Sequence, residues 1–174
     1  MKLLVVVDMQ NDFIDGALGT PEAVAIVPNV ATKIKQYVDN GDKILYTADT
    51  HYNENYLETQ EGQKLPVSHC IDNTHGWMIA DGLYVDKFPL VRKNTFGLWD
   101  IGYRLEQLAN HADIESIEVV GLCTDICVIS NVMLIKSWFE EIPVIVDSSC
   151  CAGVTPQSHN NALEAMKMCQ IEVV

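Results

Sequence analysis

Cys127 lies in the stretch GLCTDICVIS, residues 121–130, between a strand-like run and a helix-like one. A thiol at the start of a helix meets partial positive charge and unpaired N–H groups, which lower its pKa and prepare it as a nucleophile. The same N–H groups could receive an oxyanion. Asp8, in VVDMQNDF, directly follows an apolar run, and a carboxylate there is costly unless hydrogen-bonded or paired. Buried beside a thiol, it would carry a raised pKa and act as a general base. Lys93, in VRKNTF, would stabilise both anions and orient the acid if it joined them. Each residue also has a plainer reading: a packed core cysteine, an acid capping the next turn, and a solvated surface lysine.

A second group has the types that hold metal. Asp49 and His51 in DTH are alternate residues and share one side of a strand end, and His69 follows a long loop. Two imidazoles and a carboxylate suit Zn²⁺, and also Fe²⁺ or Mn²⁺. They serve equally well as ordinary hydrogen-bonding partners. The six cysteines, Cys70, Cys123, Cys127, Cys150, Cys151 and Cys169, form no CxxC pair and no regular disulfide framework. The CxxxC of 123–127 also lacks a second Cys/His pair at zinc-finger distance.

The elements that must position these residues alternate. KLLVVVD (2–8) reads as a buried strand, and 23–41 as a helix from Pro28 onward, with Val30, Ile34 and Val38 on one face. KILYTADTH (43–51) is a second strand. Residues 52–82 are polar and aromatic with little periodicity, and a loop of that length is usually functional or partly disordered. LYVDKF (83–88) reads as a short strand and 101–113 as a helix with Leu105 and Leu108 inward. SIEVVGL (116–122) is a strand and 125–141 a helix, with Met133, Trp138 and Phe139 toward the core. PVIVDSSC (143–150) is a strand, 156–170 a helix, and IEVV (171–174) an edge strand. This order predicts a three-layer α/β/α fold with a mostly parallel, Rossmann-like sheet, in one domain over residues 1–174. Ligand sites gather at the carboxyl ends of such strands. Asp8, Asp49, Cys127 and Asp147 are expected on that rim.

Bulk properties narrow the partners. The chain has 174 residues, long enough for a sizeable core, and a formal charge of -13 from 24 acids and 11 bases. Such a chain repels nucleic acid and anionic lipid, so neither is an expected partner. The N-terminus lacks the apolar segment and cleavage site of an export signal, and no stretch is apolar enough to span a membrane. A cytosolic location and reduced cysteines are expected.

VVDMQNDF, ADTH, LPVSHC, RKNTFGLWD and GLCTDICVISN, in this order and spacing, resemble the isochorismatase-like cysteine hydrolases. Within that family the chain is most similar to the nicotinamidases. The resemblance implies a catalytic triad of Asp8, Lys93 and Cys127, and hydrolysis of a small carboxamide such as nicotinamide through a thioester. It implies a cis peptide at Leu122–Cys123, an oxyanion hole from the backbone N–H groups of Cys123 and Cys127, and a divalent metal that holds the pyridine nitrogen. The metal ligands would be Asp49, His51 and His69, with Glu61 as a fourth and Glu58 behind it. Cys123 stands where the family usually has a small residue. The Trp that often precedes the PxxH motif is absent, so the aromatic lid over a substrate is expected from Phe13 or Trp99, with Leu122 also lining the pocket. Family members are often dimers or tetramers, which implies a homo-oligomer. The rival readings are an amidase for a carbamoyl or ureido compound, an isochorismatase proper, and a non-enzymatic protein on the same fold. Cys127 argues against the second, because isochorismatases lack that nucleophile.

Overall fold

The computed structural model describes residues 1–52 and 55–174; Asn53 and Glu54, within the long 52–82 stretch, lie outside the described residues. Six strands form one sheet: β1 (Lys2–Val7), β2 (Lys43–Asp49), β3 (Leu90–Lys93), β4 (Ser116–Leu122), β5 (Val144–Ala152) and β6 (Glu172–Val173). Their order is β3-β2-β1-β4-β5-β6, and each pairing between these strands is parallel. The helices are α1 (Asn11–Ile14), α2 (Pro21–Asp39), α3 (Gln60–Lys64), α4 (Ile101–Glu106), α5 (Ile129–Trp138) and α6 (Pro156–Met168). The predicted three-layer α/β/α class is thus the one observed. No helix among the described residues is long and apolar enough to cross a membrane.

Alternating strand residues divide the core into two. Leu3, Val5 and Val7 of β1 and Ile117 and Val119 of β4 pack with Leu105, Val132, Ile135 and Met166 from α4, α5 and α6. Leu4, Val6, Val120 and Leu122 face the other way, against Ala23, Ile26, Val30 and Ile34 of α2. Glu118 points to the α2 side as well. There Lys33 Nζ reaches Glu118 at 2.7 Å and Asp147 at 2.9 Å, and the Tyr37 hydroxyl donates to Glu118 at 2.7 Å. A buried acid is thereby matched by a base and a donor, as burial demands.

Several element boundaries differ from expectation, each for a local reason. α2 begins at Pro21, because Thr20 caps it by accepting a bond from the Ala23 N–H at 3.0 Å and Pro21 suits the first turn. Pro28 sits inside the helix on its exposed face, where water can serve the carbonyl it leaves unbonded. Residues 83–88 form turns instead of a strand: Gly82 has φ +79° and the Phe88 N–H bonds back to the Val85 carbonyl at 3.0 Å. The strand starts after Pro89, and its register sets Lys93 beside Asp49. α4 ends at Glu106, with a separate 3₁₀ turn at His111–Asp113. The helix expected over 125–141 is a π turn at Thr124–Val128 followed by α5, and Trp138 is 45% exposed instead of core. Asp147 lies within β5 and not at its end, since the small residues Cys150, Cys151 and Ala152 continue the strand. Its carboxylate serves Lys33, away from the rim.

Candidate active site

The chain winds outward from β1 to β2 and β3, and from β4 to β5 and β6. The segments leaving β1 and β4 therefore diverge and open a crevice at their carboxyl ends. Asp8 follows β1 in the left-handed region, at φ 48°, and is fully buried. Gly121, near the end of β4, has φ +121°, and a Cβ there would run into the Val7 carbonyl. Only glycine lets the two strand ends approach so closely. Asp8 and the turn carrying Cys127 are brought together by that contact. The Leu122–Cys123 peptide is cis.

Lys93 connects the two groups. Its ammonium lies 2.6 Å from Asp8 Oδ2 and 3.6 Å from Cys127 Sγ. Thr47 on β2 donates its hydroxyl to Asp8 Oδ1 at 2.7 Å. Asp8, Lys93 and Cys127 expose 0%, 5% and 5% of their surface. Burial pushes the Asp8 carboxyl above the usual carboxylate range, against the pull of Lys93. Burial also opposes the Lys93 charge, but Asp8, Cys127 and Asp49 outweigh it, so the amine stays cationic. Burial and then the Asp8 charge raise the Cys127 thiol well above its ordinary value. A thiol lowered by a helix start was expected. In this enclosed site, desolvation and an adjacent carboxylate prevail, and Cys127 sits in the π turn before α5. One ammonium thus stands within reach of both a thiol and a carboxyl group, a pair of types between which a proton can move.

Cys127 and Cys123 form part of the floor of a cavity of about 380 Å³, within the size range of small-molecule sites. Phe13, Leu18, Leu65, Leu122, Ile126 and Phe96 supply apolar walls. Phe13 and Leu122 both line this cavity, and the Phe13 ring stands 5.5 Å from the His69 ring. Trp99 does not line the cavity and is 80% exposed. The Leu98 N–H is held by Asn131 Oδ1 at 2.9 Å and the Leu98 side chain is buried, which turns the next residue outward. The second aromatic wall is Phe96 instead.

Asp49, His51, Glu61 and His69 come together, with one ligand atom from each within 4.8 Å of all the others, and Asp49, Glu61 and His69 also line the cavity. His51 Nε2 lies 3.0 Å from Asp49 Oδ2 and 3.7 Å from Glu61 Oε1, and His69 Nε2 lies 3.5 Å from each acid. Bonds of about 2.0–2.1 Å in a tetrahedral zinc site put neighbouring ligand atoms about 3.3 Å apart, in the middle of these separations. His69 Nδ1 is 2.8 Å from the Val67 carbonyl, a bond that fixes the tautomer and aims Nε2 at the acids. Without an ion, burial pulls His69 down but Asp49 and Glu61 raise it to about 10. Two carboxylates around two imidazoles need a positive charge there, and the donor set fits a divalent metal. Glu58 is not part of the cluster.

Three further residues build the site and were not singled out in the sequence. Gln10 receives the Asp49 N–H on its side-chain oxygen at 2.8 Å and donates to the Asp49 and Trp77 carbonyls at 2.8 Å each, locking the end of β1 to that of β2. Thr47 orients Asp8. Asn131 bonds Leu98, Phe96 and the Cys127 carbonyl, tying the Lys93 loop to α5.

The isochorismatase domain model matches residues 2–174, and the chain belongs to that family. Among its relatives is the nicotinamidase of Escherichia coli (strain K12), 28% identical over 96% of this chain and 90% of the relative. The nicotinamidase of Schizosaccharomyces pombe is 23% identical over 98% of this chain and 91% of its own length. The crystal structure of a pyrazinamidase of Pyrococcus horikoshii in complex with zinc superposes with a TM-score of 0.83 at 27% identity, covering 99% of this chain and 98% of that one.

Proposed function

We propose that this chain is an amidohydrolase that releases ammonia from a small aromatic carboxamide, with nicotinamide the favoured substrate, through a thioester on Cys127. The observation that carries the reading is the ammonium of Lys93 set between Asp8 at 2.6 Å and the Cys127 sulfur at 3.6 Å, with Cys127 itself lining an apolar cavity. The nicotinamidase and pyrazinamidase names of the relatives agree with it.

Asp8 accepts the thiol proton as the sulfur attacks the amide carbon, and Lys93 offsets the negative charge on both. The backbone N–H groups of Cys123 and Cys127 receive the oxyanion. Asp8 then returns the proton to the leaving nitrogen, and ammonia departs. A water gives its proton to Asp8, attacks the thioester and frees the acid and the thiol. The reaction consumes one amide and one water and yields one acid and one ammonia. Asp49, His51, His69 and Glu61 would hold a divalent metal, zinc being the best match and iron or manganese alternatives. Once bound, that ion supplies a Lewis-acid site for the ring nitrogen of a pyridine substrate. Phe13 and Phe96 flank the ring.

The test is ammonia release from nicotinamide and from a panel of carbamoyl and ureido amides, before and after chelation. Turnover of nicotinamide, lost with chelator and restored by metal, is expected. Metal-loaded protein that ignores nicotinamide but turns over a ureido compound would overturn the substrate assignment.

A further inference from the structure

The turn that carries Cys127 is held from outside. It is a π turn, a form that recurs at functional sites. It has no side-chain cap of its own, and the Ile126 and Val128 N–H groups both fall on the Cys123 carbonyl at 3.0 Å. Its outer ties run to the loop and helix that follow β5. Thr124 is fully buried, and its hydroxyl oxygen lies 2.8 Å from His159 Nδ1 on α6. Asp125 accepts the Val154 N–H on its two oxygens, at 3.1 and 3.2 Å. Gly153 and Val154 line the same cavity as Cys123 and Cys127, so these ties join one part of its wall to another.

His159 is itself firmly placed. Thr155 and Ser158 cap α6 reciprocally: the Ser158 N–H donates to Thr155 Oγ1 and the Thr155 N–H to Ser158 Oγ, each at 3.1 Å. The His159 N–H then donates to the Thr155 carbonyl at 2.9 Å. A Cβ on Gly153 would stand 2.9 Å from the His159 Cβ, so the bare backbone there lets the histidine close onto the loop. Burial holds the imidazole below its ordinary pKa, with Asp125 opposing, which keeps the ring neutral at neutral pH and matched to a neutral hydroxyl.

We propose that His159 is a positioning residue for the hydrolysis, fixing through Thr124 the turn whose Cys123 and Cys127 N–H groups receive the oxyanion. The inference rests on the reaction proposed above. Thr124 lies between those two residues in the chain, so a shift of its side chain displaces both donors. His159 does not line the cavity, so it acts on the turn and not on the substrate. Donors that stabilise a developing oxyanion must be preorganised, and a misplacement of about 1 Å can cost on the order of 100-fold in rate.

The experiment compares metal-loaded wild type with His159→Leu, His159→Asn, Thr124→Val and the Thr124→Val/His159→Leu pair in ammonia release from nicotinamide. Leucine keeps bulk and loses the nitrogen; asparagine returns a polar atom to the place of Nδ1. His159→Leu and Thr124→Val should each lower kcat about tenfold or more with KM within about twofold of wild type, the pattern of a lost transition-state interaction. The pair should be no worse than either alone, because all three remove one contact. His159→Asn should recover most of the rate. Equal losses for asparagine and leucine, losses that multiply in the pair, or a change confined to KM would overturn the proposal. Hydrogen exchange of the 121–128 amides reads the same turn without substrate. It should quicken about tenfold in His159→Leu and Thr124→Val but not in His159→Asn, with far-ultraviolet circular dichroism to show that each is folded. Wild-type amides that exchange as fast as those of the two variants would overturn the proposal whatever the substrate. A wild type that protects them yet hydrolyses no carboxamide would support the tie to the turn and overturn the reaction it serves.

Discussion

Replacing Thr47 with valine tests the electrostatics of the general base without changing the shape of the site. The hydroxyl donates to Asp8 Oδ1 at 2.7 Å and is fully buried. That bond favours the ionised carboxyl, so its loss raises a pKa that burial has already raised. A hydrogen bond to a charged group is worth about 1.5–3 kcal/mol. At 1.36 kcal/mol per pKa unit, Asp8 should rise by about 1 to 2 units. Asp8 must be ionised to take the thiol proton, so activity falls as pH drops through its pKa. The acid limb of kcat/KM for ammonia release should therefore move to higher pH by about 1 to 2 units, with the plateau above it largely retained. The assay is kcat/KM against pH for metal-loaded wild type and Thr47→Val, with thermal unfolding to show that both are folded. A limb that does not move, or that moves to lower pH, would refute the assignment of Asp8 as the ionising base.

Other substitutions probe the frame that holds the triad. Gly121→Ala places a Cβ against the Val7 carbonyl at φ +121°, and should destabilise the fold by about 2 kcal/mol or more in urea unfolding, with loss of activity. Asn131→Ala strips partners from the Leu98 N–H and the Cys127 carbonyl in a buried site. A loss of about 2–3 kcal/mol is expected, with a raised KM as Phe96 loses its anchor. If either variant matches wild type in urea unfolding, the contact it removes does not support the site as described.

The alternation of apolar runs and amphipathic stretches was enough to read a parallel sheet covered on both faces. Strand ends were legible wherever an apolar run stopped at an acid, as at Asp8 and Asp49. The same rule misplaced Asp147, because a strand continued in small, weakly apolar residues hides its end. LYVDKF has strand composition, yet Gly82 and Pro89 turn the chain on either side of it, and the pairing moved to Leu90–Lys93. The titrating and metal-type residues were visible from their chemistry alone. Gln10, Thr47 and Asn131 were not, since a buried amide or hydroxyl is defined by the groups it meets across the sheet. Trp99 failed as a lid for a related reason. One residue of phase in a loop decides inside from outside, and a side-chain bond from distant Asn131 sets that phase.

The most direct measurement is acid-quenched mass spectrometry of metal-loaded protein mixed with nicotinamide, followed by peptide mapping. A nicotinoyl group on the peptide carrying Cys127, absent from Cys127→Ala along with ammonia release, is the expected result. Ammonia release by Cys127→Ala at the wild-type rate, with no acyl group on any cysteine, would contradict the thioester and the role of the triad.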